Sequence, residues 1–102
     1  MSAPGPGKIT VLIADDHPVV RQGLRVLLSL QSDIEVVAEA SDGTEAVELA
    51  AAVAPDVVLL DLKLPGLDGL GVLAELRDAG LPARVLVLTS VADPASVTAL
   101  VR

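Results

Sequence analysis

Four short apolar runs punctuate the chain, and each is followed by a stretch whose apolar residues recur at helical spacing. The first run, residues 8–14, leads into Asp15 and Asp16. Pro18 then stands in the first turn of a predicted helix, where its missing N–H is harmless. Asp16 is the candidate N-cap of that helix. Val20, Leu24, Leu27 and Leu28 fall at i, i+4, i+7 and i+8 as its inner stripe, with Arg21, Gln22 and Arg25 outside. The second run, residues 34–40, is interrupted by Glu35 and Glu39, which suits an outer strand whose charges discourage further pairing. Ser41 or Asp42 can cap the next helix, which turns Ala46, Leu49, Ala50 and Val53 inward. The third run, Val57 to Leu60, has no alternation, the pattern of a strand buried on both faces, and it ends on Asp61. Pro65-Gly66 and Asp68-Gly69 break the chain there. A helix is predicted from 67 or 68 to 78 with Leu70, Leu73, Ala74 and Leu76 inward, and Gly80 supplies its left-handed stop. The fourth run, Val85 to Leu88, meets Thr89-Ser90, and Asp93-Pro94 opens a last helix. Strand and helix repeated four times dictate an α/β fold with a parallel sheet and right-handed crossovers.

Parallel strands bring their carboxyl ends to one edge, where open α/β sheets place their ligand crevices. Asp15, Asp16, Asp61 and Thr89 therefore converge. A lone Asp at a strand end is ordinarily a turn former, and a lone Thr makes a local turn bond. Three such ends on one sheet change that weighting. A carboxylate can accept a phosphoryl group, but two anions must then meet. A divalent ion held by Asp15 and Asp16 beside Asp61 removes most of that repulsion. Oxygen-only ligation indicates Mg²⁺ or Mn²⁺, and helix capping by Asp16 is compatible with it. His17, the one histidine, is expected to face outward from the first helical turn and to carry no relay chemistry. Gly66, Gly69 and Gly71 do not spell a dinucleotide fingerprint, and there is no P-loop lysine.

Composition narrows the choices further. At 102 residues the chain is one domain, 52% hydrophobic without any aromatic residue, so Leu, Val, Ile and Ala must build the core. The absence of cysteine removes disulfides and thiol ligands and fits a cytoplasmic protein. No apolar run approaches a membrane span. Residues 1–7, rich in Pro and Gly, read as a flexible leader, since they lack the basic and apolar regions of a signal peptide. A net charge of −7 argues against nucleic-acid binding by this chain and suits a cation instead.

Five blocks carry a resemblance: 15–24 (Asp-Asp-His-Pro-Val-Val-Arg-Gln-Gly-Leu), 39–43 (Glu-Ala-Ser-Asp-Gly), 55–61 (Pro-Asp-Val-Val-Leu-Leu-Asp), 65–69 (Pro-Gly-Leu-Asp-Gly) and 88–90 (Leu-Thr-Ser). In order and spacing they resemble the receiver domain of bacterial two-component response regulators, of the branch with a C-terminal helix-turn-helix (NarL/FixJ-like). The resemblance implies a flavodoxin-like (CheY-like) doubly wound sheet of strand order 2-1-3-4-5. It implies a phosphoryl group received on Asp61 from a sensor histidine kinase to switch a transcriptional output, with no enzymatic role beyond that phosphotransfer and its reversal by autodephosphorylation. It also implies Asp16 and Asp61 as direct Mg²⁺ ligands, the Lys63 backbone carbonyl as a third, Asp15 acting largely through water, and Thr89 as a switch hydroxyl.

The family adds a lysine at the end of a fifth strand, then a fifth helix, and residues 8–102 contain neither. Lys8 lies at the wrong edge of the sheet and Lys63 on a variable loop position. The expectation is therefore an incomplete receiver without an effector domain, DNA contact belonging to a missing C-terminal domain. Phosphorylation is expected to be slow. Strand four, left as an edge whose residues 85–88 carry no inward charge, proline or bulge to blunt it, predicts self-association, through that edge or by exchange of the last helix. One alternative is a phosphorylation-impaired pseudo-receiver acting as an interaction module. An aspartyl-nucleophile phosphatase is set aside, because the general acid it needs two residues after the nucleophile is replaced by Lys63 and no long loop can form a cap.

Overall fold

The computed structural model describes residues 7–67 and 69–88. Thr89, the helix predicted from Asp93 and all of the predicted leader except Gly7 lie outside the described residues. The elements are β1 (Ile9–Ala14), α1 (Pro18–Ser29), β2 (Ile34–Ala40), α2 (Gly43–Val53), β3 (Val57–Asp61), α3 (Gly69–Asp78) and β4 (Arg84–Leu88). All neighbouring strands are parallel, in the order β2-β1-β3-β4. The acidic strand β2 takes one edge, as its glutamates predict.

Alternate residues of β1 and β3 point to opposite faces, and both faces are covered. Leu12, Ala14, Val58 and Leu60 meet Ala46 and Ala50 of α2 and Val72 and Leu76 of α3. Val11, Ile13 and Leu59 meet Leu24 and Leu28 of α1. Each fully buried Leu, Val or Ile contributes roughly 1.5–3 kcal/mol relative to exposure. A polar clasp fixes the register at the other end of the sheet. Asp56 Oδ2 accepts from Thr10 N (2.9 Å) and Thr10 Oγ1 (3.1 Å), and Arg84 N donates to the Asp56 carbonyl (2.9 Å). That register pairs Ala14 with Leu60, so Asp15 follows directly beside Asp61.

Three helix expectations need correction. The N-cap of α1 is His17, in extended conformation and without a side-chain cap bond, so Asp16 is not the cap. Asp15 does the local work instead, its Oδ1 accepting from His17 N at 2.8 Å. Leu24 and Leu28 of α1 pack on the sheet, but Val20 and Leu27 are 44% and 62% exposed, because no described element covers their flank. In α3, Val72 and Leu76 are buried while Leu70 is 67% exposed. Gly69 packs on Leu62 and shares the inner face with Val72, Leu76 and the partly buried Leu73, so of the expected residues Leu73 and Leu76 face the core and Leu70 does not. The α2 expectations stand: Asp42 caps it by accepting from Glu45 N (2.7 Å), and Ala46 and Ala50 are buried.

Candidate functional site

Three carboxylates and one imidazole meet at the carboxyl ends of β1 and β3. One ligand atom from each of Asp15, Asp16, His17 and Asp61 lies within 4.8 Å of every other. Asp15 and Asp61 are buried, while Asp16 is half-buried at the rim. Like charges this close repel, and the surrounding bonds decide how each is held. Asp61 Oδ1 accepts from Lys63 N at 3.0 Å, which fixes the plane of that carboxylate. Lys63 thus reaches the site through its backbone, with its side chain exposed in the loop. Asp15 Oδ1 accepts from both the backbone N and the ring Nδ1 of His17, each at 2.8 Å.

The site fits a hard cation. Asp16 Oδ1 is buried and accepts no hydrogen bond, although His17 Nδ1 stands 3.0 Å away, because the ring N–H is directed to Asp15. An unsatisfied buried carboxylate oxygen facing two further carboxylates is a donor set for an oxygen-seeking divalent ion.

Two residues behave differently from the sequence expectation. His17 is largely exposed but turns its Nδ1 into the cluster, rather than outward, ending 3.8 Å from Asp61 Oδ2. The hydrogen bond to Asp15 raises its pKa above the ordinary imidazole value; the charges of Asp16 and Asp15 add to the effect, burial opposes it, and the charge of Asp61 adds least. Arg21, expected on the outer side of α1, is half-buried and donates from Nη1 to the Asp15 carbonyl oxygen at 2.8 Å. Its Nε lies 3.5 Å from Glu39 Oε1, tying α1 and β2 together behind the site. The helical spacing of α1 places Arg21 off the apolar stripe, and no sequence signal shows that its guanidinium folds back to the strand end. Thr89 follows Leu88, whose register partner is Asp61.

The sequence profile of the response regulator receiver domain matches residues 11–102. The chain belongs to that family. The receiver domain is the phospho-accepting module of two-component signalling, generally without an enzymatic activity of its own. The chain is 47% identical over 97 residues to the probable transcriptional regulatory protein NarL of Mycobacterium tuberculosis, covering 95% of this chain and 45% of that protein. It is 46% identical over 80 residues to the nitrate/nitrite response regulator protein NarL of Escherichia coli K12, covering 78% of this chain and 37% of the relative. The chain therefore spans less than half the length of these relatives. The solved receiver domain of the putative M. tuberculosis NarL superposes with a TM-score of 0.82 at 47% identity, covering 88% of this chain and 73% of that one. Among the described residues, no helix is long and apolar enough to cross a membrane.

Proposed function

We propose that Asp61 is the phosphoryl acceptor of this receiver, and that Asp15 and Asp16 hold a Mg²⁺ or Mn²⁺ ion beside it. The observation that carries this reading is the unsatisfied Asp16 Oδ1, buried against two more carboxylates at paired strand ends. One oxygen of the Asp61 carboxylate attacks phosphorus, the bond from phosphorus to the donor's leaving atom breaks (a ring nitrogen of a phosphohistidine, an oxygen of acetyl phosphate), and the donor departs as an acyl phosphate forms on Asp61. The Lys63 amide holds the carboxylate in place through Oδ1 during that approach. Arg21 positions Asp15 through its backbone carbonyl. A bound divalent ion, with the Lys63 carbonyl as a further ligand, would supply charge neutralisation on the transferring oxygens. Thr89 would donate its hydroxyl to the new phosphoryl group. A sensor histidine kinase is the proposed donor and transcriptional control in the cytoplasm the proposed output, by likeness to regulators that this chain matches only in part. The match to the receiver family and to NarL-type regulators favours this reading over a pure interaction module.

Incubation with acetyl phosphate and Mg²⁺, followed by mass spectrometry, tests it. One phosphoryl group per chain is expected, located on Asp61, absent without divalent ion and absent in Asp16→Ala. Modification at another residue would remove the assignment. We also propose self-association along β4, which ends the described sheet and leaves Leu86 45% exposed. Light scattering should show an apparent mass rising with concentration, and a constant monomer mass at high micromolar concentration would rule it out.

A further inference from the structure

His17 Nδ1 stands where a cation would: 2.8 Å from Asp15 Oδ1, 3.0 Å from Asp16 Oδ1 and 3.8 Å from Asp61 Oδ2. We propose that the His17 side chain is a tethered occupant of the divalent-ion position, holding the metal-free cluster together and leaving it when the ion enters. The proposal rests on the reading that this cluster takes a divalent ion.

Three features of the site support the exchange. A single ring N–H can satisfy only one carboxylate well, and it is spent on Asp15, leaving Asp16 Oδ1 in contact but unbonded. An ion satisfies all three carboxylates together, so it wins the position while the ring blunts their repulsion in its absence. The ring is also cheap to move. Its side chain is 64% exposed and makes no cap bond to α1, so rotating it out sacrifices little packing and leaves the helix start intact. Its backbone N–H keeps its own bond to Asp15 Oδ1, so Asp15 stays oriented after the ring has left.

The consequence is a competition: the apparent affinity for the ion is reduced by the fraction of molecules whose site is filled by the ring. A contact of this exposed kind shifts an equilibrium only modestly. His17→Ala should therefore bind Mg²⁺ roughly two- to fivefold more tightly than the unaltered chain at one fixed pH. Its metal-free form should melt at a lower temperature. His17→Lys, which keeps a tethered cation, should not bind Mg²⁺ more tightly. Titration calorimetry reads the affinities and thermal melting the stability. Ring displacement has its own readout. As the sequence holds one histidine, its ring nitrogen resonances are unambiguous. Adding Mg²⁺ should move the Nδ1 signal from a hydrogen-bonded value to that of a free imidazole, with the midpoint of metal binding. If Mg²⁺ binds both proteins equally, or saturates the site with the ring signals unmoved, the role of His17 is overturned while the metal reading stands. If Mg²⁺ binds neither protein, both fall.

Discussion

Asp61→Asn should take up no phosphoryl group from acetyl phosphate and Mg²⁺, and its metal-free form should melt above the unaltered protein. The loss follows from the chemistry, because an amide oxygen is not the anionic nucleophile that forms an acyl phosphate. The gain follows from the surroundings. The Asp61 carboxylate is buried, and its ligand atom lies within 4.8 Å of those of Asp15 and Asp16. Charges of the same sign at such separations cost several kcal/mol at the effective dielectric of a protein surface and about 1 kcal/mol in water. Asparagine removes one of the three charges yet keeps the Oδ1 that accepts from Lys63 N. Water and the His17 ring already offset part of the repulsion, so a net gain of about 1 kcal/mol is expected, or roughly 4–8 °C for a domain of this size. Sites that store unfavourable electrostatics for function behave this way when neutralised. Phosphate found on the Asp61→Asn protein would move the acceptor elsewhere. A lower melting temperature would show that the carboxylate is bound by more attraction than repulsion.

The positions of Asp15, Asp16 and Asp61 were legible because they depend on strand ends. A parallel sheet leaves little freedom there: once the runs before Asp15 and Asp61 are strands, adjacent register brings the carboxylates together. Strand order and the β2 edge were legible for similar reasons, the order through the family blocks and the edge through Glu35 and Glu39. Side-chain direction was not. His17 reads as an exposed residue of a first helical turn, and it is exposed; what the pattern lacks is that the cap position rotates Nδ1 back over Asp15. Arg21 lies off the apolar stripe by spacing, but the carbonyl of Asp15 and the carboxylate of Glu39 draw it inward. In α3 the spacing rightly turned Leu73 and Leu76 to the core, but not Leu70; the apolar pattern does not show that Gly69, by its contact with Leu62, and Val72 share that face.

Gly43 and Gly23, two glycines within α-helices, should respond to alanine with opposite signs. Gly43 opens α2 and is buried against the loop that leaves Asp61, donating from its N–H to the Pro65 carbonyl at 3.3 Å. A Cβ on Gly43 would overlap the Leu67 carbonyl oxygen, and it would lie 2.6 Å from the Leu67 carbonyl carbon and 2.8 Å from its Cβ. These are mostly backbone atoms, so the loop itself must move. Overpacking of this kind costs typically 1–3 kcal/mol, and more where backbone is displaced. Gly43→Ala should therefore lose about 2–3 kcal/mol. The same displacement pulls on Leu62–Leu67, the segment whose Lys63 amide holds Asp61 Oδ1, so Mg²⁺ affinity and phosphoryl uptake should fall as well. Gly23 sits inside α1 with nothing within 4 Å of an added Cβ. There the methyl group meets only open space, and alanine restricts the unfolded chain while favouring the helix. Gly23→Ala should gain about 0.5–1 kcal/mol with unchanged Mg²⁺ affinity. Chemical denaturation of both variants, with metal titration beside it, measures the pair. Equal stability changes, or a Gly43→Ala protein that binds Mg²⁺ like the unaltered chain, would show that the start of α2 does not hold the loop that presents Asp61.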